Sequence, residues 1–178
     1  PDEISGHTVV AIGKNAFSYK KFKELIIPET VRVINESAFS NVTVDNSVEF
    51  PAGIQIDEKA FFSADMPKEV TIPDDSYVGK QAFAYADLDA LTLGENVTLD
   101  DEAFYYSEVS ELYVSSGNTI GEKAFYSCSK LRKIDSQGNT DTVESVIDKQ
   151  AFAYCDGLET VNIPAYFTTI GEESFYYA

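Results

Sequence analysis

One dipeptide punctuates this chain at nearly even intervals: Ala16-Phe17, Ala38-Phe39, Ala60-Phe61, Ala82-Phe83, Ala103-Phe104, Ala124-Phe125 and Ala151-Phe152, with Ser174-Phe175 as a variant. The phenylalanines stand 22, 22, 22, 21, 21, 27 and 23 residues apart. A fixed period of that length is the signature of stacked structural repeats, each too small to bury its own apolar face and stable only against its neighbours. A solenoid of about eight coils is therefore expected, and residues 1–178 read as a single domain of that kind. With 44% of the residues hydrophobic there is enough apolar side chain for a continuous core.

Aligning the coils on the phenylalanine exposes the code of one coil. Five residues earlier stands a branched aliphatic: Ile12, Ile34, Ile56, Val78, Leu99, Ile120, Ile147 or Ile170. Next comes Gly13, Asn35, Asp57, Gly79, Asp100, Gly121, Asp148 or Gly171, residue types that accept unusual backbone angles and cap helix starts. Two polar residues follow, then small Ala and large Phe, which together read as a short helical turn with one face inward. About ten residues on, short alternating segments such as Leu25-Ile26-Ile27, Val70-Thr71-Ile72, Leu91-Thr92-Leu93, Leu112-Tyr113-Val114 and Val161-Asn162-Ile163 predict strands. Proline closes four of these segments, since it cannot donate to a further ladder bond. Parallel pairing of equivalent strands at about 4.8 Å would make a curved rod on the order of 35–40 Å long. In the sixth coil, Ser136-Gln137-Gly138-Asn139-Thr140-Asp141-Thr142 is polar and reads as an insertion loop.

The string L-x-I-P-x-x-V-x-x-I-x-x-x-A-F, present from Leu25 and Pro28 through Val31, Ile34 and Ala38-Phe39, resembles the BspA-like leucine-rich repeats of bacterial cell-surface proteins. The resemblance covers essentially the whole chain, including an opening stretch, Ile4 to Gly13, that looks like the first repeat of such arrays. It implies a right-handed α/β superhelix, β-rich overall, with short parallel strands on one face and short helical turns on the other. It also implies a secreted or surface-anchored protein that adheres to host matrix proteins or to other microbes. Family coils often carry Cys three residues after the Phe; here only Cys128 and Cys155 do, so no cysteine ladder is expected.

The chemistry-bearing residues assemble no reaction centre. Cys128 and Cys155 share one slot in adjacent coils, which suits either a disulfide or two buried thiols; the Ala, Val and Ser found there in other coils favour thiols. His7 is the only histidine and both cysteines stand in core-type slots, so neither a zinc site nor a Ser/His/Asp or Cys/His nucleophile system assembles convincingly. Neighbouring carboxylates such as Asp74-Asp75 and Glu172-Glu173 could suggest glycosidase chemistry, but among 30 acidic residues such pairs arise by chance. No loop has the D-x-D-x-D-G calcium pattern. The expectation is a non-enzymatic chain needing no cofactor or metal.

A net charge of −17 opposes nucleic acid and anionic membrane surfaces, and no segment is long and apolar enough to insert into a bilayer. What remains is a binding surface, with two candidates. Eight tyrosines follow the repeat Phe by one or two residues: Tyr19, Tyr85, Tyr105, Tyr106, Tyr126, Tyr154, Tyr176 and Tyr177. They form either a contact stripe or a stack of rings shielding the core. The other candidate is the outward row of the strands, read as partner-binding through Glu24, Glu49, Glu69, Thr71, Thr92, Glu111, Tyr113 and Asp135. An acidic row of this kind is expected to favour basic ligands. The partner class is an extracellular protein or glycan; a passive spacer and an accessory module of a secreted hydrolase are the alternatives. Because the last coil shows no strand after Phe175, the reading also expects a longer native polypeptide and a C-terminal coil that either frays or is buried against another copy.

Overall fold

A computed structural model describes residues 2–137 and 143–178; most of the expected insertion loop, residues 138–142, lies outside them. Two parallel sheets and a column of turns enclose one continuous core. Eight two- to four-residue strands, from Ala11–Ile12 to Phe167–Ile170, pair in chain order as one sheet. Five more, Glu69–Ile72, Ala90–Leu93, Glu111–Val114, Lys133–Ser136 and Thr160–Val161, form a second sheet, also in chain order. Lys21–Ile26 and Thr43–Glu49 pair separately as a two-stranded parallel sheet. At the N-terminus, Glu3–Ile4 and His7–Thr8 form an antiparallel pair.

The segments predicted as strands by alternation are the second and third of these sets. Glu69–Ile72, Ala90–Leu93 and Glu111–Val114 each point two aliphatics inward, as Leu91 and Leu93 do at 0% exposure, with the residue between them facing outward. Lys133–Ser136 buries only Ile134, and Val161 at the last strand is exposed. The eight-stranded sheet was not expected from the sequence. Its strands are mostly two residues long, such as Val33–Ile34 and Gln55–Ile56, and two residues carry no periodicity that a pattern can reveal.

The helical turns expected on the phenylalanine side are absent: no helix occurs among the described residues. The reason lies in where the backbone N–H groups point. Within residues 13–20 they alternate, Ala16 and Ser18 donating three residues back to Gly13 O and Asn15 O, while Asn15, Phe17 and Tyr19 donate across to Glu36 O, Ala38 O and Ser40 O in the next coil. A helix would keep every one of these bonds internal. The alternation requires left-handed residues two before and two after each phenylalanine, for example Asn15 (φ 57°) with Tyr19 (φ 61°) and Gln81 (φ 55°) with Tyr85 (φ 60°). Each costs a side-chain-bearing residue about 1 kcal/mol, which the intercoil bond it donates offsets.

This corrects a second expectation. The Gly/Asn/Asp position before each turn is not the left-handed one, because positive φ falls two residues later. Gly121 serves close approach instead: a Cβ there would lie 2.7 Å from Leu99 O and 2.9 Å from the Asp100 carbonyl carbon.

The repeat phenylalanines stack through the core at centroid spacings of 5.2, 5.0, 4.9, 4.9, 5.1, 5.2 and 5.2 Å from Phe17 to Phe175, all within 11° of parallel. The six from Phe39 to Phe152 are fully buried. At the first coil Phe17 is 40% exposed, and at the last Phe175 is half-buried.

Candidate interaction surface

The outward row is a consequence of strand register. Glu69, Ala90, Glu111, Lys133 and Thr160 stand opposite one another, and two residues along, Thr71, Thr92, Tyr113 and Asp135 do the same. Six of the eight residues predicted to bind, Glu69, Thr71, Thr92, Glu111, Tyr113 and Asp135, therefore share the five-stranded sheet. Glu24 and Glu49 are exposed on the separate two-stranded sheet. The row is thus one line in sequence but two sheets in space.

Neighbouring coils convert part of this row into a bonded network. The Tyr113 hydroxyl donates to Glu111 Oε2 at 2.5 Å, and Lys133 Nζ approaches the same hydroxyl at 3.4 Å while lying 4.7 Å from the ring centroid. Lys133 also pairs with Asp135 at 3.2 Å. Asp135 Oδ1 accepts from Asn162 Nδ2 at 2.9 Å and from the Ser136 N–H at 2.8 Å. The Asn162 bond, the Ser136 N–H and Lys133 hold the Asp135 carboxyl below the usual carboxylate range. Lys133 is raised in turn, first by Asp135 and then by the Tyr113 hydroxyl. A planar ring, a cation and two carboxylates are thereby held in place on the sheet, an arrangement suited to polar recognition.

Beside the N-terminal ends of these strands runs an open groove of about 760 Å³, crossing five coils. Lys68, Asp89, Arg132 and Glu159 line it, together with Glu69 and Glu111 from the row. These lining residues were not singled out by sequence reasoning. The signal that could have found them is the position just before each strand, polar in five successive coils as Lys68, Asp89, Ser110, Arg132 and Glu159. Three cations, Lys68, Lys130 and Arg132, line the groove together with four carboxylates, Glu69, Asp89, Glu111 and Glu159. The surface is amphoteric rather than acidic, and the net charge of the chain resides mostly elsewhere.

The remaining candidates are placed as follows. Cys128 and Cys155 are free and fully buried, donating to the carbonyl oxygens of Phe104 and Phe125, each at 3.1 Å. A hydrogen bond with Cys128, then burial, pushes the Cys155 thiol far above its ordinary range, and both sulfurs are shut away from solvent. His7 is exposed in the N-terminal strand pair. No group of three or more His, Cys, Asp or Glu among the described residues is arranged to hold a metal ion. The tyrosines do stack, Tyr85 on Tyr106 at 5.7 Å, Tyr105 on Tyr126 at 5.5 Å and Tyr154 on Tyr177 at 5.6 Å, yet Tyr19, Tyr85, Tyr106, Tyr154, Tyr176 and Tyr177 remain exposed.

The crystal structure of the pneumococcal vaccine antigen PcpA overlaps 98% of this chain and 68% of its own, at 16% identity and a TM-score of 0.45. A leucine-rich repeat protein from Bacteroides ovatus overlaps 96% of this chain and 80% of its own, at 17% identity and a TM-score of 0.28. No curated protein matches. The family model for the BspA type leucine rich repeat region, in six copies, matches residues 10–132 and 54–178. With nearly the whole chain accounted for by that repeat, the protein belongs to the BspA-type leucine-rich repeat family.

Proposed function

We propose that this chain is a non-enzymatic interaction module, displayed outside the cell, whose five-stranded sheet and adjoining groove hold a protein or glycan partner. The observation that carries the reading is the groove itself, with charged side chains of both signs from five coils lining one open channel. Rigid strands fix the spacing of those groups, so a partner meets them without an ordering cost. Glu69, Thr71, Thr92, Glu111, Tyr113 and Asp135 would form the rim of the site, with Glu24 and Glu49 extending it towards the N-terminal coils. Membership of the BspA-type family supports placement at a cell surface and adhesion as the purpose, with host matrix proteins as the first partners to test.

The test is a solid-phase binding screen of matrix proteins, mucins and glycans, followed by kinetics on any hit. Replacing Lys68, Lys130 and Arg132 together by Gln, or Glu69, Glu111 and Glu159 together by Gln, should each slow association severalfold and reduce its salt dependence. Unchanged kinetics with both triple variants would move the site off this face.

A further inference from the structure

A second surface lies on the turn side and borders the groove, with the groove-lining Lys130 paired to its Glu108. From the third coil onward, eight rings form an unbroken chain of ring contacts: Phe62, Tyr85, Tyr105, Tyr106, Tyr126, Tyr154, Tyr176 and Tyr177. Ring packing alone does not account for it. Tyr85, Tyr106, Tyr154 and Tyr177 occupy the left-handed position two residues after the phenylalanine, with φ between 53° and 60°. Asn41, Ser63 and Ser127 occupy the same position in other coils at φ 52–57°. Asn is favoured in that conformation and a bulky ring is not. The tyrosines there are also 40–68% exposed, so they shield little core.

Two residues beyond each of three such tyrosines stands a carboxylate: Tyr85 with Asp87, Tyr106 with Glu108, Tyr154 with Asp156. The residues between them, Ala86, Ser107 and Cys155, are buried, so ring and carboxylate both project outward on one ledge. At the seventh coil Tyr154, Asp156 and Tyr177 line a shallow pocket of about 250 Å³. Asp65 precedes Asp87 in the same intercoil ladder, and neither of these two nor Asp156 is in a salt bridge among the described residues. Burial and then Glu108 raise the Asp87 carboxyl, as stacked like charges should. The ledge already attracts one cation of the chain itself, since Lys130 Nζ lies 2.5 Å from Glu108 Oε2.

We propose that this ledge of tyrosines and carboxylates is a docking site for an arginine-bearing extended polypeptide. The exposed rings offer π surface, and the carboxylate beside each offers a charged acceptor. A planar guanidinium can lie against an aromatic ring while its N–H fork reaches a carboxylate, meeting both features of each coil at once. An ammonium, being compact and strongly hydrated, satisfies only the carboxylate. The site shares Lys130 with the groove at their border, but its rings and carboxylates do not line the groove, so it would remain if the groove bound nothing.

The experiment uses the 178-residue chain and a short alternating Arg-Gly peptide, with binding followed by calorimetry. Tyr85, Tyr106 and Tyr154 are replaced together by Ser, the residue the fold already accepts at this position, and separately Asp87→Asn, Glu108→Gln and Asp156→Asn are combined. Each triple variant should weaken binding at least roughly tenfold. Glu29→Gln, Asp75→Asn and Asp101→Asn, which remove the same charge from exposed positions outside both the ledge and the groove, should weaken it less than about twofold. Equal weakening by the two charge-matched variants would mean non-specific attraction and overturn the proposal. So would unaltered affinity in the tyrosine variant, or tighter binding of Lys-Gly peptide or of amino-sugar oligosaccharides than of Arg-Gly peptide. Thermal melts of every variant separate loss of binding from loss of fold; if the tyrosine variant melts early, the carboxylate variant against its charge-matched control decides.

Discussion

Replacing Phe83 by Ala tests the central physical claim, that stability resides in the shared phenylalanine column. The ring is fully buried and has near-parallel rings on both faces, Phe61 at 4.9 Å and 2° and Phe104 at 4.9 Å and 3°. Returning it to water forfeits about 2–3 kcal/mol of transfer free energy, and each lost ring contact adds about 0.5–1.5 kcal/mol. With a cavity that the flanking coils cannot collapse, the expected loss is about 3–5 kcal/mol. Phe17 provides the contrast. It is 40% exposed, stacks on Phe39 from one side and meets Phe22 at its edge, so Phe17→Ala should cost about 1–2 kcal/mol. For a chain of this length the two variants should differ in melting temperature by very roughly 5–10 °C. Hydrogen exchange adds a local readout, because the Phe61 and Phe83 amides donate to Ala82 O and Ala103 O in the next coil and should lose protection together. Equal losses at Phe83 and Phe17, or exchange confined to the substituted coil, would refute the picture of one column shared between coils.

Tyr77 should titrate high: its hydroxyl donates to Asp100 at 2.6 Å, and that bond with partial burial lifts it to about 12. Since the folded value is raised, its contribution to stability is complete below the unfolded value of about 10 and is lost as pH rises through the folded value. Absorbance titration of Asp100→Ala should return one tyrosine to the ordinary range, and a titration identical to that of the parent would show that the bond does not form. In the native chain neither cysteine should react with an aromatic disulfide reagent, and both should react in denaturant, since both are buried; fast modification of the folded chain would contradict the burial. Gly121→Ala should destabilise by about 1–3 kcal/mol, because its Cβ would meet backbone at 2.7 Å, whereas Gly13→Ala, with nothing within 4 Å, should not. Matched melting temperatures for those two variants would undermine the close-approach argument.

Much of the architecture was legible because it is written at single-residue resolution in every coil. The inward identities of Ile34, Ala38 and Phe39 recur with the period, and each lands at 0% exposure. The strands Glu69–Ile72 through Lys133–Ser136 were legible for the same reason, as alternation over three or four residues is a local property. The turn side was misread because Ala-Phe behind two polar residues has the inward spacing of a helical turn. The same spacing is also satisfied by a run of β-turns that send every second N–H to the next coil, and nothing in one coil says which. The candidate site fared similarly. Glu69, Glu111, Tyr113 and Asp135 could be placed on one face by counting, but Lys133 joining Tyr113 to Asp135 could not.

What the sequence by itself determined is the repeat, the family and the set of side chains that face inward, because hydrophobic periodicity acts within each coil and needs no knowledge of its neighbours. What only the tertiary structure decided is everything made between coils. The left-handed backbone of the turn ladder, the separation of Glu24 and Glu49 from the five-stranded sheet, the near-balanced charges of the groove and the ledge of tyrosines beside carboxylates all arise there. Each depends on which residues 21 to 27 positions apart are brought side by side by the stacking, and on whether a backbone N–H finds its acceptor within its own coil or in the next.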